Sequence, residues 1–225
     1  MKRREFIAAC AGSAVLGFAP LPAMADAKRQ ALVDDAHASA KVLIEGPDFP
    51  DVRKLMPRTK AVLVVPTLVQ GGFIVGGAGG RGVLLARQAD RQWSYPAFYF
   101  MGTGSVGLQI GGKVSEVLFQ ILTDKGMNAV LEDRFKFGAE AGITVVTIGG
   151  GVEGSTTSAV GADIVAFSKS RGLFAGMALE GSYIAPDTDW DQLYYGGSPN
   201  TRAILFEGRY SNPGANTLRS LLAKY

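Results

Sequence analysis

Residues 71–112 read GGFIVGGAGGRGVLLARQADRQWSYPAFYFMGTGSVGLQIGG, a stretch holding twelve glycines with short apolar runs between them. Glycine is placed where the backbone needs positive φ, or where another strand or a ligand comes close. Apolar runs of this length between glycines suit strands joined by tight turns better than helices. An Arg91-Gln92-Trp93-Ser94 turn divides the stretch. The block is therefore expected to be the centre of a β-rich domain.

Outward from it, Ala61–Val65 is continuously apolar and predicts a strand buried on both faces, ended by Pro66. Val117, Phe119 and Ile121 alternate with Glu116 and Gln120, which predicts a strand with one face in and one out. A short helix over Asp124–Glu132 follows, then a half-buried strand from Phe137 to Val145 and a small, polar connection from Gly149 to Ser158. Ile164–Lys169 and Leu173–Tyr183 read as a hairpin about Ser170-Arg171-Gly172. Asp187–Tyr195 is a loop or short helix, Ala203–Phe206 a last strand, and Asn212-Pro213 the start of a C-terminal helix carrying Leu218, Leu221 and Leu222. Before the block, Asp26–Glu45 repeats Leu32, Ala36, Ala40 and Leu43 at helical spacing and stops at Gly46-Pro47, and Phe49–Met56 is a second short helix with Val52 and Leu55 inward. The expected class is α+β: an antiparallel, glycine-rich sheet, folded over or barrel-like, with N-terminal and C-terminal helices packed on it.

The same residues carry a resemblance. Gly71-Gly72-Phe73-Ile74, Gly80-Arg81-Gly82-Val83, Arg87, Trp93-Ser94-x-Pro96 and Gly104-Ser105-Val106-Gly107-Leu108-Gln109-Ile110-Gly111 resemble the core signature of the SYLF domain family. Phe167-Ser168-Lys169-Ser170-Arg171-Gly172-Leu173-Phe174-Ala175-Gly176, Leu179-Glu180-Gly181-Ser182 and Tyr194-Tyr195-Gly196 resemble its second signature, so the likeness runs in order from about Asp34 to Gly197. The resemblance implies binding of phosphoinositide-like phospholipid headgroups rather than catalysis. Eukaryotic members bind phosphoinositides and some bundle actin; bacterial members are mostly exported. It also implies that the helix before the glycine block touches lipid.

A chain of 225 residues suits one domain plus an export signal. Met1–Ala25 has the signal's layout: basic Lys2-Arg3-Arg4, an apolar run from Ile7 to Phe18, and a small-x-small Ala23-Met24-Ala25. Arg3-Arg4-Glu5-Phe6-Ile7 is similar to the twin-arginine export motif. Residues 26–225 are then the lipid-binding domain, expected in the periplasm or resting on a membrane. Cleavage near Ala25 would remove Cys10, the only cysteine, and with it any disulfide or thiolate metal site. Three of the 23 basic residues and one of the 20 acids lie in the signal, so the net charge of +3 falls to +1. A near-neutral chain is no general nucleic-acid binder, and attraction to anionic lipid has to come from a local patch.

Arg53, Lys54, Arg58 and Lys60 place four cations in eight residues. Such a cluster can clasp a phosphate headgroup through charge-assisted hydrogen bonds, or it is a solvated segment before a strand. Lys28 and Arg29, at the start of the first helix, are expected to assist. That helix's polar face mixes Asp34 and Asp35 with Lys41, which suits a core-packed helix as well as a lipid-touching one.

Other chemistry is largely excluded. His37 is the only histidine, so any histidine-based triad would need it. Gly77-x-Gly79-x-x-Gly82 and Gly102-x-Gly104-x-x-Gly107 have dinucleotide-binding spacing without the strand-then-helix context, and no cofactor is expected. Asp187, Asp189 and Asp191 begin like a calcium loop, but Gln192 and Ser198 stand where glycine and glutamate are required. Trp93 suits an interfacial anchor or the core beneath the Ser94-x-Pro96 bend. The reading is a non-enzymatic module for anionic phospholipid or a membrane surface. An envelope protein partner without a specific lipid ligand is the alternative.

Overall fold

The computed structural model describes residues 22–72, 75–106, 111–137, 145–149, 160–171 and 182–225. Helices α1 (Pro22–Glu45) and α2 (Pro50–Leu55), with a 3-10 turn over Met56–Arg58, precede strands β1 (Ala61–Gly72), β2 (Val75–Ala86), β3 (Ala97–Val106) and β4 (Gly111–Ile121). Then come α3 (Asp124–Val130), β5 (Phe135–Lys136), β6 (Val145–Gly149), β7 (Ile164–Arg171), β8 (Ser182–Pro186), α4 (Thr188–Tyr195), α5 (Thr201–Leu205) and α6 (Asn216–Leu222). The strands form one sheet in the order β5-β8-β3-β2-β1-β4-β7-β6, curled into a half-barrel. The α+β architecture is the expected one. The ladders are antiparallel except that of β6, which runs parallel to β7.

Both faces of the sheet are buried where β1 to β4 carry large side chains. Val62, Val64, Val83, Leu85, Phe98 and Leu118 meet α1, α2, α4 and α6 on one face. Ala61, Leu63, Val65, Leu84, Tyr99 and Phe119 meet α3, α5, Phe135 and Phe137 on the other. This is why Ala61–Val65 is apolar without alternation: successive side chains point to opposite faces and each face is covered. In the stripe of α1, Ala36, Ala40 and Leu43 are buried together with the flanking Val33 and Ile44, and Leu32 is partly buried against the same core, so core packing accounts for its amphipathic pattern. Toward the other end of the same strands the side chains thin out. Gly112, Gly71, Gly77 and Gly104 are register partners in one row across β4, β1, β2 and β3.

Several elements differ from the sequence expectation. Pro66 does not end β1, because the register slips between Val64 and Thr67 against β2, and between Val65 and Leu68 against β4. The proline sits in a β-bulge, where no ladder N–H is required of it. The C-terminal part of β4, residues 117–121, is buried on both faces, for Gln120 is 0% exposed and donates its Nε2 to the Val52 carbonyl at 3.0 Å; Glu116 is partly exposed. Ala203–Phe206 is helical: Asn200 caps α5 by accepting from Ala203 N at 2.8 Å, which favours a helix start over a strand. Strands β7 and β8 are not neighbours, since β7 pairs with β4 and β6 while β8 pairs with β3 and β5; most of the second arm of the expected hairpin is outside the described residues. The central part of the expected Phe137–Val145 strand, most of the Gly149–Ser158 connection and Leu173–Gly181 lie outside the described residues. So does the segment expected to be an export signal, up to Leu21; α1 covers Ala23–Ala25.

Candidate functional site: a cationic rim beside the end of α1

Helix α2 begins with Pro50 at its first turn, and Phe49 before it packs edge-on against Phe167 at 6.2 Å. Val52, Leu55 and Met56 turn into the core, which leaves Arg53, Lys54 and Arg58 outward. Thr59 closes the turn by donating Oγ1 to the Leu55 carbonyl at 2.9 Å. Arg87, at the end of β2, then donates Nε to the Thr59 carbonyl at 3.2 Å and Nη2 to the Met56 carbonyl at 3.0 Å. Its guanidinium lies 4.7 Å from the Trp93 ring centre. A cation on the last carbonyls of a helical turn is favourable and fixes where Arg58 and Lys60 emerge. Burial lowers the Arg87 pKa, and the neighbouring Arg91 charge adds to it.

The four clustered cations are not equivalent. Lys54 pairs with Asp51 at 2.8 Å and Lys60 with Asp124 at 2.8 Å. The Lys60 pair is exposed on both sides, where such a contact contributes little and can exchange partners, whereas Asp51 is buried and holds Lys54 in place. Arg53 reaches only the Glu45 carbonyl, at 3.5 Å. Arg58 has no hydrogen-bond or ion-pair partner among the described residues.

Lys28 and Arg29 are not brought to this rim. At about 1.5 Å rise per residue, the helix carries them about 25 Å from Glu45, beside which Arg53 lies. Arg29 is moreover only 6% exposed, with its guanidinium 4.9 Å from the Trp190 ring centre. Its place beside the apolar stripe turns it into the α1–α4 contact, so it is a packing cation.

Two of the three clustered acids, Asp187 and Asp191, are likewise spent on structure, while Asp189 is exposed. Asp187 caps α4 by accepting from Trp190 N, and pairs with Arg81 at 2.8 Å. Asp191 is fully buried and accepts from Phe98 N at 2.8 Å, while Asp187 N donates to the Phe98 carbonyl at 2.8 Å. Together they dock α4 on the part of β3 that β8 leaves unpaired. Burial pushes the Asp191 carboxyl up to about 7; the Phe98 N–H opposes this and the Asp187 charge adds to it. Burial also raises the Tyr99 and Tyr195 phenols, which donate to the carbonyls of Val130 at 3.0 Å and Pro96 at 2.6 Å. Trp93 is buried, as the core reading has it. His37 is half-buried, with no hydrogen-bond partner among the described residues.

Sequence reasoning missed Arg87 as a site residue, although its six-residue spacing from Trp93 across a turn was available as a signal. Among the described residues no helix is long and apolar enough to cross a membrane, and no group of His, Cys, Asp and Glu could hold a metal.

Residues 102–225 match the family model Ysc84, described as Las17-binding protein actin regulator. LAS seventeen-binding protein 3 of Saccharomyces cerevisiae is 30% identical over 169 residues, covering 74% of this chain and 36% of the yeast protein. Protein YSC84 of the same yeast is 27% identical over 164 residues, 72% of this chain and 35% of its own. The human SH3 domain-containing YSC84-like protein 1 is 29% identical over 185 residues, 78% of this chain and 54% of its own. The chain thus spans between a third and about half the length of these relatives.

Proposed function

Because the chain belongs to the Ysc84 (SYLF) family, whose described members are binding proteins, we propose that it binds anionic phospholipid headgroups through its α2 rim. The observation that carries this reading is the state of Arg53 and Arg58. Both are exposed on a turn rigidly backed by Arg87, and neither is held by a carboxylate. A phosphate can accept from such guanidinium groups without first displacing an internal partner. Lys60 adds charge by letting go of the exposed Asp124, while Lys54 stays with the buried Asp51.

With the apolar face of α1 buried in the core, contact is through headgroups and not through inserted helix. The site of action we propose is the periplasm, reached through the export signal at Met1–Ala25; N-terminal sequencing of the protein from a periplasmic fraction should then begin at Asp26. Co-sedimentation with phosphatidylglycerol vesicles tests the binding itself. Each basic residue near an anionic surface is worth about 1 kcal/mol, so the Arg53→Glu/Arg58→Glu variant should bind at least about thirtyfold more weakly. Binding that is equal to phosphatidylcholine and phosphatidylglycerol, or unchanged in the variant, overturns the proposal. The family's description as Las17-binding favours a protein partner as the second reading. Capture of an envelope protein that persists in detergent, by wild type and the charge-reversed variant alike, would select it.

A further inference from the structure

His37 and Lys41 stand one turn apart on α1, and Thr217, Ser220 and Lys224 follow one another at helical spacing along and just past α6. Where the two helices pack, these faces meet across an open groove of about 400 Å³. Asn216 completes the wall. Its Oδ1 already accepts from the Tyr95 hydroxyl at 3.2 Å and from Arg219 Nη1 at 3.3 Å, which leaves its amide N–H groups as donors. No carboxylate lines the groove. The nearest acid known to touch it is Glu45, which meets Lys224 at its margin at 4.0 Å, long for an ion pair.

Two ammonium groups, an imidazole, two hydroxyls and an amide around one concavity form a donor-rich set, with the Glu45 carboxylate at its margin, 4.0 Å from Lys224. A dianion seated between the two ammonium groups would add attraction that this long contact does not supply. The volume lies near the lower end for ligand sites and has room for a phosphate with a small polar body. We propose that the α1–α6 groove is a binding site for a phosphomonoester, held by Lys41 and Lys224 with His37, Ser220 and Thr217 completing its shell. The inference is independent of the α2 rim: it uses other residues and requires a terminal phosphate, whereas the rim requires only surface charge.

His37 is the only histidine in the chain, so its imidazole gives one unambiguous proton signal. The full-length protein would be titrated with glycerol 3-phosphate, and separately with vesicles containing phosphatidic acid or phosphatidylglycerol. A saturable shift of the His37 signal with glycerol 3-phosphate supports a soluble ester. A shift with phosphatidic acid vesicles alone supports a lipid headgroup. Either shift should need about tenfold more ligand in Lys41→Gln/Lys224→Gln, and should persist in Arg53→Gln/Arg58→Gln even if that variant no longer sediments with phosphatidylglycerol. Both lysines are exposed, so the substitutions leave the core untouched. Absence of any shift with both phosphomonoester probes, or a shift indifferent to the two lysines, overturns the proposal.

Discussion

Replacing Gly82 by alanine perturbs a place where the bulge of β1 presses on β2; Gly80 is a second. Gly82 stands in the register gap opposite Val65 and Pro66. A Cβ there would run into the Val64 carbonyl oxygen and come within 2.8 Å of Val65 Cγ2. The first obstacle is backbone held in the ladders to β2 and β4, so it cannot swing aside as a flexible side chain would. Relief requires β1 and β2 to part locally. That combines an overpacking cost of about 1–3 kcal/mol with one or two weakened ladder bonds at about 1 kcal/mol each. Alanine's smaller unfolded-state entropy returns only about 0.4–1 kcal/mol. The net expectation is a loss of about 2–4 kcal/mol. Gly79→Ala, on the same strand, is the internal comparison. Its nearest neighbour would be Phe100 Cζ at 3.9 Å, an ordinary contact, so it should be neutral or stabilising by up to about 1 kcal/mol. Urea denaturation followed by tryptophan fluorescence reports through Trp93 and Trp190 and gives both midpoints at comparable slope. A Gly82→Ala variant within about 0.5 kcal/mol of wild type, or a Gly79→Ala variant equally damaged, would refute the bulge argument.

Asp191 makes stability depend on pH in an unusual direction. Its folded pKa of about 7 exceeds the unfolded value of about 3.9, so the folded state holds the proton more tightly. Its contribution is fully present below about pH 4, falls as pH rises toward 7 and is then flat, by at most about 4 kcal/mol. Denaturation midpoints measured from about pH 5 to pH 8 should decline in wild type, and Asp191→Asn should flatten the decline; a parallel slope in the variant would assign it elsewhere. Asn200→Ala removes the α5 cap and should cost about 1 kcal/mol in the same assay, which a strand at this position would not predict. Pro66→Ala should change stability by less than about 1 kcal/mol, because the bulge asks no hydrogen bond of that residue; a larger loss would show the ring itself packing against the core.

Much of the architecture was legible because it rests on local rules. Apolar continuity in Ala61–Val65 reported a strand covered twice, and the Asn212-Pro213 start gave a C-terminal helix whose Leu218, Leu221 and Leu222 are buried. The amphipathic stripe of α1 was visible, but not what it packs against, since a core face and a lipid face have the same period. Pro66 and Ala203–Phe206 were misread for a related reason. A proline's missing donor matters only if the partner strand asks for it, and a short apolar run is helix or strand according to its cap. Gln120 looked like an outward position, yet a buried glutamine is tolerated once a carbonyl such as that of Val52 accepts from it.

By itself, the chain's order of residues determined the family, the α+β class and the presence of four cations between Arg53 and Lys60. Only the tertiary structure decided which charges stand together. It turned Arg29 into the α1–α4 contact, brought Asp124 onto Lys60 from 64 residues away and set Lys41 and Lys224 on one groove, whereas the Asp51–Lys54 pair is local to α2. Periodicity and capping act over a few neighbouring residues, so one strand of sequence records them. Electrostatic association depends on distance in space, and the packing of α1 against α6 and the sheet sets those distances.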